Sequence, residues 1–194
     1  DDVLLDDQSG QEMLKVTRLS AKFDIMPFFK GKISISSVQL FGFNINLRKE
    51  TPDSPPNFKF VLDAFASKDT VKKENSLDLR INSILIRRGR MSYHVLSEEE
   101  TPGKFNAKHI QLQNIIANIS LKALSKDSLN LGIKRLSLDE KASGFSLKKM
   151  SLKLVANNKQ TNIDNFTIEL PETSLKLDTI HLEYDSLKAF DRFT

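Results

Sequence analysis

Few residue types in this chain could carry chemistry. The only histidines are His94, His109 and His181, far apart in sequence and each inside an alternating apolar/polar stretch. They read as surface strand histidines rather than ligands or catalytic bases. Asp1, Asp2, Asp6 and Asp7 cluster near Gly10 but lack the alternating oxygens and closing glutamate of a calcium loop, so a turn is expected there. Arg87, Arg88 and Arg90 are the densest basic cluster. They follow a strand pattern and read as a solvated edge, with lipid headgroups or an acidic partner as the alternative. Ser97 to Gly103 holds three glutamates and reads as a solvated loop. Asn118-Ile119-Ser120 and Asn165-Phe166-Thr167 match a glycosylation sequon, a match short enough to arise by chance.

Whole classes of chemistry drop out. The chain has no Cys, which removes disulfides, thiolate nucleophiles and cysteine zinc sites together, while leaving the redox compartment open. It has no Gly-rich phosphate cradle, no G-x-S-x-G and no H-E-x-x-H. The expectation is no enzyme, no catalytic residue, no metal and no cofactor. The formal net charge is +4, with bases interleaved among acids rather than gathered in a stripe, which speaks against nucleic acid. Apolar residues make up 39% and charged residues 28% of 194 residues, enough for a folded domain. The longest apolar runs are a few residues, far short of the ~20 that a spanning helix needs. The chain opens on Asp1-Asp2-Val3 without a Met and stops at Arg192-Phe193-Thr194, so a piece of a longer protein is expected.

The elements that would position these residues follow from a repeat: apolar, any, apolar, two polar, apolar, any, apolar. It appears at Leu14, Val16, Leu19, Ala21, then at Ile33, Ile35, Val38, Leu40, and at Leu79, Ile81, Ile84, Ile86. Phe105, Ala107, Ile110, Leu112 form a weaker copy. Leu131, Ile133, Leu136, Leu138 and Phe145, Leu147, Met150, Leu152 follow, then a degenerate copy at Thr161, Ile163, Phe166, Ile168. Leu175, Leu177, Ile180, Leu182 close the series. On a helix these four places scatter around the axis. On a strand the first two share a face, and the last two regain it only if one extra residue is inserted. A β-bulge is such an insertion. Bulges or bends are therefore expected at the polar pairs, among them Ser36-Ser37, Asn82-Ser83 and Lys134-Arg135. Bulged strands bend, so the sheet should curl with its apolar face inside.

The fold class expected is mostly β: a curled antiparallel repeat sheet, groove-like, with one short amphipathic helix. Residues 1–50 form an N-terminal β section, 51–76 a loop and helix, and 77–194 a repeated β section continuing the same sheet. The helix is placed at Asn57 to Lys68, with Phe58, Val61, Leu62 and Phe65 on one face.

Asp2-Val3-Leu4-Leu5-Asp6, Ser9-Gly10-Gln11-Glu12-Met13-Leu14, Arg18-Leu19-Ser20-Ala21-Lys22-Phe23 and Pro27 to Phe43 together resemble the N-terminal region of AsmA-like proteins. Leu77 to Asn82 and on through Thr101-Pro102-Gly103-Lys104-Phe105-Asn106 is similar to the TamB branch, the translocation and assembly module. The resemblance implies a periplasmic protein of a Gram-negative bacterium, anchored in the inner membrane. Its apolar β-groove would shield phospholipid for transport to, or assembly of, the outer membrane. An outer-membrane barrel partner would dock through parts of the parent outside this chain. If the groove exists, its lining is Ile33, Ile35, Val38, Leu40, Leu79, Ile81, Ile84, Ile86, Leu131, Ile133, Leu136, Leu138, Leu175, Leu177, Ile180 and Leu182. The alternative is a structural or interaction β-module with a closed core and no lipid.

Overall fold

A computed structural model of the chain describes residues 3–24, 33–65, 79–125 and 128–184, apart from a few side chains at element ends. Long alternating stretches rich in Ile, Leu and Val make strands with one apolar face. Nine of them form one open sheet: β1 (Val3–Asp6), β2 (Glu12–Asp24), β3 (Ile33–Lys49), β4 (Leu79–Val95), β5 (His109–Ser125), β6 (Ser128–Glu140), β7 (Ser146–Asn157), β8 (Gln160–Glu169) and β9 (Ser174–Glu183). Spatial order equals sequence order, so each strand lies beside its chain neighbours and the sheet does not close on itself. The mostly β, single-sheet architecture is as the alternation requires.

One pair departs from the antiparallel expectation. β3 and β4 run parallel, while every other neighbouring pair is antiparallel. A parallel pair needs a crossover of a dozen or more residues, because the chain must return to the starting end of the sheet. That accounts for the long gap between the second and third copies of the repeat, Ile33 to Leu79. The crossover includes α1 (Lys59–Phe65), shorter than the helix read from the sequence. Residues 66–68 and the side chains of Leu62 and Phe65 lie outside the described set; Phe58 and Val61 are half-buried.

Several of the register shifts fall at the polar pairs. Lys22 pairs with Ser37 and Phe23 with Ile35, which leaves Ser36 as the extra residue. Ile81 and Ile84 face Leu121 and Ile119, so Asn82-Ser83 oppose Ser120 alone. Ile133 and Leu136 face Leu152 and Met150, so Lys134-Arg135 oppose Ser151 alone. Lys148-Lys149 oppose Ser137 in the same way. Asn165, beside another shift, has a φ of 52°. Three pairs behave differently, among them Asp178-Thr179, which causes no shift against β8. Thr17-Arg18 causes no shift against β3. Lys108-His109 is the junction of loop and strand, and Phe105 sits exposed in that loop. The β5 copy of the pattern is Ile110, Leu112, Ile115, Ala117, five residues later than the sequence reading placed it.

A second line of irregularity crosses the sheet at Gly42, Arg88 and Asn114, with φ of 65°, 55° and 54°. These three sit on adjacent strands, near Phe41↔Arg87 and Gly89↔Ile115. Each left-handed residue flips the strand's parity, so Leu40 and Phe43, three residues apart, both pack into the one core. That core is small: Val16, Phe43 and Ile115 are buried, with Leu14, Leu40, Ile45, Ile86, Met91, Leu112, Leu136 and Leu138 packed around them. The Phe43 ring lies directly over Gly89, where a Cβ would collide with its Cε1 and Cζ.

Candidate functional site

The register turns scattered apolar residues into continuous rows. Directly paired residues share a face. One row runs Phe23, Ile35, Ile81, Leu121, Leu131, Leu154, Ile163, Ile180 from β2 to β9. Another runs Leu19, Leu40, Ile86, Ala117, Leu136, Met150, Ile168, Leu175 over the same eight strands. Between them lie Ala21, Val38, Ile84, Ile119, Ile133 and Leu152, with Phe166 and Leu177 paired beyond. At ~4.8 Å per strand, seven intervals give a row about 34 Å long.

Twelve of the sixteen residues named as a lining fall in or between these rows. Ile35, Ile81, Leu131 and Ile180 are in the first row; Leu40, Ile86, Leu136 and Leu175 in the second; Val38, Ile84, Ile133 and Leu177 between them. Leu138 packs on the buried core. Leu182, two residues beyond Ile180, pairs with Thr161. Ile33 and Leu79 pair with each other, but their side chains lie outside the described set. The sequence reading missed Leu121, Ile119, Leu154 and Phe23, which extend the rows without belonging to the quartets it used.

Ala117 is buried and Leu40, Ile86 and Leu136 pack around the core, but no second layer covers the rows among the described residues. Leu19, Phe23, Leu175 and Leu182 remain 46%, 64%, 47% and 44% exposed, and most of the rest are half-buried. Contiguous exposed apolar area on this scale marks a binding surface in folded proteins. No helix among the described residues is long and apolar enough to cross a membrane.

No family model, curated protein or solved structure matches this chain.

The opposite face is mainly polar. Asn82, Lys122, Lys134, Lys153 and Asn165 line an open depression of about 680 Å³ along the first bulge line, together with Leu131, Ile133 and Leu152. The arginine cluster also stands away from any edge. Arg87, Arg88 and Arg90 lie inside β4, between β3 and β5, with the Arg88 guanidinium 5.2 Å from the Phe41 ring centre. The reading as a solvated strand edge is therefore wrong. The stretch after Ile86 continues the same strand through the Arg88 bulge.

Two carboxylates organise one end of the sheet. The turn expected near Gly10 forms, with Gly10 at a φ of 77°. Asp7 is buried there and accepts from the Ser9 hydroxyl at 2.6 Å, the Ser9 amide at 2.9 Å and the Gln11 amide at 3.1 Å. Its second oxygen meets Arg48 of β3 at 2.7 Å and the Asn57 amide group at 3.3 Å. The Ser9 hydroxyl leads the stabilisation of the charged form, opposed by burial and helped by the Gln11, Asn57 and Ser9 donors, and the carboxyl falls to about 2. The crossover is thereby tied to the β1–β2 turn. Asn57 also exchanges hydrogen bonds with Arg48, taking up the backbone of β3 beyond the start of β2.

Glu140 repeats the arrangement in the β6–β7 turn. Its oxygens accept from the Ser143 amide at 2.7 Å, the Ser143 hydroxyl at 2.5 Å, and the Gln111 and Ala142 amides at 3.2 Å. Burial works to raise this carboxyl. The Ser143 hydroxyl and the three amides outweigh it and hold it at about 2. Both turns place a serine directly before a left-handed glycine, Ser9-Gly10 and Ser143-Gly144.

The same end brings two histidines together. His94 is the last residue but one of β4, His109 opens β5, and they are paired in register. Their Nδ1 atoms are 3.0 Å apart. The Glu100 Oε1 lies 3.8 Å from one and 3.9 Å from the other. His109 is buried rather than on the surface, and its Nε2 meets the Glu98 carbonyl at 2.9 Å. His181 stays exposed on β9, held by Asn162 and Glu183.

Proposed function

We propose that the apolar face of this sheet is one section of a groove that shields the acyl chains of phospholipid. The observation that carries the reading is the set of unbroken apolar rows across eight strands, left without a covering layer among the described residues. A bilayer's hydrocarbon core is about 30 Å thick and holds two chains end to end, so a row of about 34 Å has room for an acyl chain laid across the strands. Each buried CH₂ contributes about 0.8 kcal/mol, so a chain of about a dozen such groups gains roughly 10 kcal/mol from burial. The polar outer face suits water, and the bulges bend the strands as a wall requires. In this reading the parent is the periplasmic, inner-membrane-anchored protein that the AsmA/TamB resemblance implies, serving outer-membrane biogenesis.

A second reading rests on β9. It is ten residues long, ends the strand order and is exposed along most of its length. Such an edge can take an added strand from a client protein, which would make the chain an interaction module for outer-membrane protein assembly. Native mass spectrometry with solvent extraction of the purified chain separates the two. Co-purifying phospholipid, displaced in proportion by added fatty acid, supports the groove. A lipid-free chain that captures an extended outer-membrane peptide supports the edge and defeats the groove.

A further inference from the structure

We propose that His94, His109 and Glu100 form a binding site for a divalent transition-metal ion of the zinc type, bridging the ends of β4 and β5 to the loop between them. The three donor atoms make a triangle with sides of 3.0, 3.8 and 3.9 Å. The point equidistant from such corners lies about 2.1 Å from each, which is the usual zinc–nitrogen and zinc–oxygen distance. The ligand atoms all lie within 4.8 Å of one another.

The surroundings prepare the donors. The His109 Nε2 carries the proton and donates it to the Glu98 carbonyl at 2.9 Å, so its Nδ1 presents a lone pair to the triangle. A backbone carbonyl on the far nitrogen is the common orienting contact of metal-bound imidazole. Without an ion, the His94 Nδ1–H donates to that lone pair; on binding, His94 takes its Nε2–H tautomer and offers the Nδ1 lone pair to the ion. The loop supplying Glu100 is itself held. Lys108 pairs with Glu98 at 2.7 Å, Asn106 donates to the Glu99 carbonyl at 3.1 Å, and the His109 amide donates to the Asn106 carbonyl at 3.0 Å. Two imidazoles and one carboxylate favour zinc, nickel or copper over calcium or magnesium, which require mostly oxygen. A cavity of about 230 Å³ beside Glu100 and His109, bordered by Asn106, Gln111 and Lys141, leaves room for a water as fourth ligand. The site is independent of the lipid-shielding proposal and stands if that one fails.

The test is calorimetric titration of the 194-residue chain with zinc chloride, with cobalt(II) absorption as the geometric readout. One ion per chain is expected, with a visible cobalt band of four-coordinate intensity. His94→Ala should weaken zinc binding at least 100-fold and abolish the band. Glu100→Gln should weaken it about tenfold. His181→Ala, which alters the exposed histidine on β9, should change neither. His94 is only half-buried and Glu100 is exposed, so both variants should fold, as circular dichroism would verify. Absence of saturable zinc binding in the unmodified chain, or binding that survives His94→Ala, overturns the site and leaves the rings as a pair sharing one proton.

Discussion

Asp7 and Glu140 do at the two turns what a larger core does elsewhere. Each buries a charge that several donors satisfy, so each is stabilising only while ionised. Their folded-state values near 2 lie below the ordinary carboxylate range. The stability they contribute is therefore present above about pH 5 and lost as the pH falls through 4 toward 2. The sum is of order 6 kcal/mol for the two groups. Asp139, also lowered, through Asn114 and Ser146 first, adds in the same direction. Urea midpoints at pH 7, 4 and 3 should fall in that order, and the Asp7→Asn variant should show a flatter profile. A midpoint insensitive to pH over this range would contradict the assignment. At neutral pH, Asp7→Ala should cost about 2–4 kcal/mol, since it leaves Arg48 without its carboxylate and several donors unmet. Gly89 is a second residue-scale test. A methyl there would collide with the Phe43 ring, and Gly89→Ala should destabilise by about 1–3 kcal/mol, read from the thermal midpoint.

At the scale of the strand, the bulges are the testable feature. Removing Lys134 leaves Ile133 and Leu136 two places apart, so one-to-one pairing returns and the apolar places keep their face, but the bulge that twists and bends β6 is gone. Removing Ser36 does the same against β2 and leaves Asn82-Ser83 of β4 without a matching bulge. Either deletion should lower the melting temperature; an unchanged temperature would mean the extra residue has no structural role. The polar pairs were legible because parity is a local property: two apolar places, two polar, two apolar can share a face only across an insertion. The second line of irregularity was harder to see. On β4 the quartet Ile84, Ile86, Gly89, Met91 overlaps the one before it, and its places include a glycine that yields to Phe43. Arg88 holds left-handed backbone with nothing in its type to announce it, and Asn114 belongs to a type only enriched there. The parallel pairing of β3 and β4 was visible only as an unexplained gap.

For the molecule as a whole, the question is whether the apolar face is a wall or half of a core. Ile84→Asp and Leu136→Asp discriminate. In a groove wall the carboxylate has a route to water, so folding should survive with a modest loss of stability while lipid binding is lost. In a closed core the same change buries an unpaired charge and should unfold the chain. Folded yield of the two variants should be read beside photo-crosslinking to lipid from the same positions. Unfolding without any lipid crosslink would defeat the groove.

The sequence alone determined that this chain makes β-strands with one apolar face, and where several of them must bulge, because both follow from the alternation of neighbours along the backbone. It also carried the turn at Asp7-Gln8-Ser9-Gly10. Only the tertiary structure decided which strands lie side by side, and hence that Leu121 continues the row from Ile81 to Leu131. It also decided that the arginine cluster lies mid-sheet. The meeting of His94 and His109 belongs to the same class. Fourteen residues and a glutamate-rich loop separate them, and only the antiparallel register of β4 and β5 sets them face to face. Parity is written locally, whereas register is settled by hydrogen bonds between strands distant in the chain.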